Sequence, residues 1–159
     1  MNVLLVNGEK NLMSNELVEK SKEVLADTFV MYMKAHGYHW NVIGPDFVQL
    51  HDFFGHLYEE LHDAIDPLAE HVRQLDAFAP GTLKRMVEIS TIEEDDKVPA
   101  PNTMVANLLD VNEKLLNKVT EVYKLAEEEG MFGYSNYLQD RITSHAKHRW
   151  MLKSILLGK

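Results

Sequence analysis

The sequence predicts an all-α protein: a four-helix bundle with one long crossing connection. Three observations carry this reading. Apolar residues recur at three-and-four spacing through four long segments, no stretch alternates apolar and polar residues for the length of a strand, and prolines and glycines gather between the segments. At 159 residues the chain has the size of one domain with its own core, taken as residues 1–159 with 1–13 as a short N-terminal tail.

Each element has a local reason. Ser14 is a good N-cap, and from it Leu17, Val24 and Met31 form one heptad-spaced row beside a second made by Val18, Leu25 and Tyr32. Seven residues further on, that second row reaches His39. Asn41, Val42, Ile43, Gly44 and Pro45 break the pattern, and Pro45 suits the start of a new helix, where its missing N–H is not needed. The second helix, residues 45–75, carries an apolar stripe of Phe47, Leu50, Phe54, Leu57, Leu61, Ala64, Leu68, Val72 and Leu75. Pro67 lies inside it and is expected to bend it or to free the Asp63 carbonyl. Residues 77–101, interrupted by Pro80, Pro99 and Pro101, read as a connection crossing the bundle, with a short extra helix over 82–90 between helices 2 and 3. A third long helix spans 103–129, with Leu108, Leu109, Leu115, Leu116, Val119 and Val122 inside and Gly130 as its stop, and a fourth spans 135–157.

Composition narrows the chemistry. Sixteen Lys and Arg against 25 Asp and Glu leave a net charge of −9, which repels polyanions, suits cations and argues against DNA as a partner. Cysteine is absent, so disulfides and thiolate metal sites are excluded, and metal chemistry here must use oxygen and imidazole. No leader-like N-terminus and no apolar run near the ~20 residues of a membrane span occur, so no membrane is implied and the cytoplasm is the expected compartment.

The informative stretch is residues 38–72. Asp66 and Glu70 are four apart on the second helix and project from one face, as a shared hard cation requires; on their own they equally suit a solvated face. His51 lies on nearly the same strip, but roughly 22 Å along the helix from Asp66, so one chain cannot join the two at one metal. Two copies of this helix packed antiparallel about a two-fold axis would bring the His51 end of one to the Asp66 and Glu70 end of the other, twice. His39, ending the first helix's inward row, is placed to join His51. His56, Glu59, Glu60, His62 and Asp63 either line a cavity or form a solvated face, and Trp40 and Tyr58 either pack or touch the chemistry.

The run His39, Trp40, Asn41, Val42, then Gly44, Phe47, His51, Asp66, Ala69 and Glu70 resembles the signature of the Dps mini-ferritins, within the ferritin-like superfamily. The resemblance continues through residues 78–84 and Trp150, Met151 and Leu152, and so covers nearly the whole chain. It implies a ferritin-like bundle assembled into a hollow dodecamer built from two-fold dimers. It also implies ferroxidase centres at those interfaces that oxidise Fe(II), preferentially with hydrogen peroxide, and store ferric iron as a protection against oxidative stress. Carried over residue by residue, the catalytic and metal-binding set is His39 and His51 from one subunit and Asp66 and Glu70 from its mate, holding a di-iron pair for which zinc is a substitute. Trp40 stands beside that site. Two positions depart from the pattern. Gly55 occupies the place of an aspartate one turn after the second histidine, leaving Glu59 and His62 as accessory candidates and making Gly55→Asp an expected gain of a ligand. Asn136, followed by Tyr137 and Leu138, replaces the acidic residue that lines the family's three-fold pore. The competing readings are a nucleoid protein that coats DNA, which an N-terminal stretch with a single lysine, Lys10 beside Glu9, does not favour, and a cage whose site is disabled or holds zinc.

Overall fold

The computed structural model describes residues 3–157, with the side chains of residues 15–157. Five helices follow in order: α1 Val3–Asn41, α2 Phe47–Gln74, α3 Leu83–Ile89, α4 Pro101–Glu128 and α5 Phe132–Leu157. No strand occurs among the described residues. The four long helices are the expected bundle, and α3 is the expected short helix in the long connection.

The turns explain the topology. Only a few residues separate α1 from α2, and α4 from α5, so each pair is an antiparallel hairpin. Side chains pair Lys20 with Glu121, Asp27 with Lys118, and Tyr38 with Asn107, so α4 also runs antiparallel to α1. α2 and α4 are therefore parallel, and the chain between them must return the length of the bundle. That return is the segment 75–100, which carries α3.

Several expected boundaries are visible as chemistry. Thr82 caps α3, its hydroxyl accepting the Arg85 N–H at 3.2 Å. Pro101 opens α4 in the first turn, and Gly130 ends it with φ +75°, a conformation that glycine adopts without a Cβ clash. One expectation needs correction. Helix α1 does not start at Ser14; residues 3–13 contain no proline and carry the helix back to Val3, so of the expected 1–13 tail only Met1 and Asn2 remain, outside the described residues. Pro67 lies inside α2, which runs on over Phe47–Gln74, and its nitrogen has no proton to give the Asp63 carbonyl; the Tyr137 hydroxyl donates to the nearby Ala64 carbonyl at 3.3 Å.

The α2 stripe is buried as read, from Leu50 through Val72, but Phe47 is 40 % exposed because it lies in the first turn beyond the bundle's end, where its ring rests against His51. The core continues through Leu17, Leu25 and Met31 of α1, Leu108, Leu115 and Val119 of α4, and Leu138 and Leu152 of α5.

Two polar knots hold this apolar interior in register. Asp27 of α1, fully buried, accepts hydrogen bonds from Ser90 Oγ at 2.8 Å, Thr91 N at 2.7 Å, Thr91 Oγ1 at 3.0 Å and Lys118 Nζ at 2.7 Å. One carboxylate thus ties the end of α3 and the stretch of the return segment that follows it to α1 and α4. A second clasp lies further along that segment: the Tyr38 hydroxyl donates to Asp95 at 2.5 Å, and Lys34 meets the same carboxylate at 3.1 Å. Burial, and then the Asp95 carboxylate, push the Tyr38 hydroxyl well above its ordinary pKa.

The other knot joins α2 to α5. Arg141 donates through Nη1 and Nη2 to the two carboxylate oxygens of Glu60, and His148 Nε2 lies 3.3 Å from Glu60 Oε2. His145 faces Arg141 and bonds Asn112 Oδ1 through Nδ1 at 2.8 Å. Glu60 is therefore neither a solvated group nor a free cavity carboxylate. Burial raises its pKa, but Arg141 and then His148 outweigh this and hold it below the usual value. Burial keeps His145 and His148 neutral, with His148 lowered to about 4.

Two outcomes follow. Asp27→Ala removes one member of a buried ion pair and orphans three further donors, and should lower unfolding stability by about 3 kcal/mol in denaturant titration. On acidification the unfolded chain takes up a proton on His148 near pH 6.5 while the folded chain resists until about 4, so stability should be lost across that window, by ~3 kcal/mol from this group alone. Glu60, held below its ordinary value, adds in the same direction. Thermal unfolding from pH 7 to 4 should show the fall, and His148→Gln should flatten it.

Candidate metal centre

His39 ends α1 and His51 sits in the second turn of α2, so the short α1–α2 turn brings them face to face. Their rings stack with centroids 3.7 Å apart and planes 18° from parallel. Each ring is held by the other residue's backbone: His39 Nδ1 lies 2.7 Å from the His51 carbonyl, and His51 Nδ1 lies 2.7 Å from the His39 carbonyl. A carbonyl only accepts, so both Nδ1 atoms carry the proton and both Nε2 atoms keep a lone pair. An N–H fixed on a carbonyl is how proteins select the tautomer and aim of a metal-ligating imidazole. Both side chains are half-buried.

Around this pair the aromatic residues are continuous. Tyr58 lies edge-on to His39 at 5.2 Å and stacks on His36 at 3.8 Å with planes 11° apart. Trp40 is 56 % exposed and lies 4.1 Å from the His36 ring. Tyr58 is thus in contact with the site, whereas Trp40 reaches it through His36. His36 escaped the sequence reading, although it stands one turn before His39 on the same helix face and is held by the Tyr32 hydroxyl at 3.2 Å. Burial, and then the neighbouring His39 and His62, lower its pKa.

Asp66 and Glu70 are exposed on α2, one turn apart. The structure brings His39 and His51 together but leaves these carboxylates at the far end of the same helix. Among the described residues, no group of three or more His, Asp or Glu side chains of one chain stands close enough to hold a metal ion. Glu59 and His62 are exposed between the two halves. Among the described residues no helix is long and apolar enough to cross a membrane.

Comparison with known proteins identifies the family and the fold. Residues 20–157 match the ferritin-like domain family. General stress protein 20U of Bacillus subtilis is 33 % identical over 144 residues, covering 91 % of this chain and 99 % of that protein. DNA protection during starvation protein 2 of Bacillus anthracis is 31 % identical over the same shares of each chain. The chain belongs to the Dps family. Its fold superposes on the crystal structure of Dps from Vibrio cholerae O1, described as a member of a broad superfamily of ferritin-like diiron-carboxylate proteins, with TM-score 0.86, 31 % identity and 91 % of each chain covered. Dps from Thermosynechococcus elongatus gives TM-score 0.88 at 26 % identity, covering 91 % of this chain and 92 % of that one.

Within this Dps-family bundle, Gly55 has a physical reason that its sequence position did not reveal. It is buried, and a Cβ there would lie 3.2 Å from His39 Nδ1 and 3.3 Å from Cε1. A retreat of the His39 ring would disturb its stacking on His51 and its hydrogen bond to the His51 carbonyl. Beside the ligand that Gly55→Asp is expected to add, any side chain at this position therefore asks the His39 ring to give way by a few tenths of an ångström. Gly55→Ala isolates the steric part. Alanine ordinarily stabilises a helix interior by about 1 kcal/mol over glycine; here that gain should be absent or reversed, and a melting temperature raised by the substitution would show that His39 yields freely.

Proposed function

We propose that this protein is a mini-ferritin that binds Fe(II) at centres shared between two copies of the chain, oxidises it with hydrogen peroxide and stores the ferric product inside a hollow dodecamer in the cytoplasm. The observation that carries the proposal is the locked His39–His51 pair, with both Nε2 atoms free, on the same helix strip as Asp66 and Glu70 but out of their reach. Antiparallel pairing of α2 with a partner's α2 supplies what one chain lacks. Family membership supports iron as the cargo, since the Vibrio cholerae relative is placed among diiron-carboxylate proteins.

Imidazole with carboxylate suits Fe(II), and two adjacent irons supply the two electrons that break one peroxide O–O bond. In this centre the partner's Asp66 and Glu70 and this chain's His39 hold one iron, and His51 with a shared Glu70 holds the other. Because Gly55 offers no carboxylate, the second iron binds more weakly than the first. Zinc, which accepts the same donors, competes for the site without redox chemistry. Tyr58 and the His36–Trp40 pair wall the histidine side and limit water there. The net charge of −9 favours cation uptake and disfavours coating DNA.

Shared centres make a specific demand. A chain with His39→Ala and His51→Ala, and a chain with Asp66→Ala and Glu70→Ala, should each fail to oxidise Fe(II). Mixed cages made by co-expression should regain activity, because each mixed pair rebuilds one complete centre from the intact histidines of one chain and the intact carboxylates of the other. Stopped-flow absorbance with peroxide checks this, and mixed cages as inactive as either parent would falsify the shared centre.

A further inference from the structure

A cleft of about 420 Å³ between α1 and α2 is lined by Tyr32, His36, Tyr58, Glu59, His62 and Asp63. The proposed oxidation uses neither Glu59 nor His62. These two are exposed and three residues apart, so their side chains leave the same face of α2 about one turn apart. At 3.6 residues per turn both fall inside the arc of the helix surface bounded by His51 and Glu70, and along the axis they lie midway between those ends. His62 is steadied by the Tyr32 ring at 5.2 Å and has Asp63 Oδ1 3.9 Å from its Nδ1.

We infer that Glu59 and His62 of two copies together bind a divalent transition-metal ion on the two-fold axis, between the two ferroxidase centres. The inference rests on the antiparallel α2 pairing of the proposed function. In the register that sets His51 against the partner's Asp66 and Glu70, the segment 58–62 comes opposite itself. Glu59 then faces the partner's His62, and His62 faces the partner's Glu59. One chain offers only two donors; the pair offers two imidazoles and two carboxylates around one point. That donor set selects zinc, cobalt or ferrous ions over calcium and magnesium, which prefer oxygen throughout. The ion bridges the two chains and lies apart from the histidine pair, roughly 14 Å along α2 from His51.

Cobalt(II) is the probe, used on the assembled protein in three forms: unmodified, Glu59→Gln with His62→Gln, and Asp66→Asn with Glu70→Gln. Anomalous scattering from cobalt-soaked crystals locates the ion, and titration calorimetry counts it. The unmodified protein should show axial cobalt, one ion per pair of chains, in addition to cobalt at the ferroxidase centres. The first variant should lose the axial ion alone, and the second should keep it while losing cobalt beside His39 and His51. Filled ferroxidase centres with no axial cobalt, Glu59 pairing directly with the partner's His62, would overturn this inference and leave the proposed function standing. Crystals in which α2 does not pair with its copy would overturn both.

Discussion

Leu50, Phe54, Leu57, Leu61, Ala64, Leu68 and Val72 hold α2 in the bundle, and in doing so they fix the direction of its other side. A helix has one rotation about its axis, so burying that stripe necessarily turns His51, Tyr58, Glu59, His62, Asp66 and Glu70 toward α1's edge and the outside. The apolar burial is worth on the order of 1.5–3 kcal/mol for each large side chain, far more than any ligand's preference for a different rotamer. The chemistry is therefore aimed by the core. Glu60 lies on the opposite flank of the polar strip and is consumed by Arg141 and His148 of α5, which pin α2 from the other side.

The histidine pair depends on that rigidity at close range. Two imidazoles at 3.7 Å would be free to splay in a loop; here each donates its Nδ1–H to the other's backbone carbonyl. A ring so held loses little further freedom when it binds an ion. The His39 carbonyl sits in the last turn of α1 and has no helical partner of its own to lose, so the contact also satisfies a helix end. Gly55 completes the arrangement by leaving the volume that a Cβ would take from His39.

How far this was legible in the sequence follows from range. The α2 stripe, the Thr82 cap, Gly130 and the pairing of His39 with His51 are local or periodic features, and the fold class follows from them. The start of α1 was misread because a good N-cap residue at 14 does not prevent a helix from continuing through it when nothing upstream breaks the helix. Glu60, Arg141 and His148 come together over more than eighty positions of chain, and nothing in residues 56–63 distinguishes Glu60 from its solvated neighbours. Gly55 read as a missing carboxylate because ligand patterns are read as presence or absence. It has a steric side as well, which appears only with the His39 ring in place. His36, by contrast, was available: it repeats the spacing of one turn before His39, and only its lack of a recognised role hid it.

The two polar knots divide the labour between fold and site. Asp27 gathers donors from α3, the return segment and α4, where a long connection would otherwise be free to ride over the bundle. The charge is tolerable because every nearby donor points at it; the same carboxylate without Lys118 would be a buried liability. The α2–α5 knot is tolerated differently. Arg141 balances Glu60, so both imidazoles beside them must stay uncharged, and burial enforces this. A cation introduced there would face a neutralised carboxylate and a guanidinium. Among the described residues, the outward strip of α2, with Asp66, Glu70, Glu59 and the Nε2 atoms of His39 and His51, has no lysine or arginine ion-paired to it. The iron of the proposed function would therefore meet the protein on this face, which a second copy would complete.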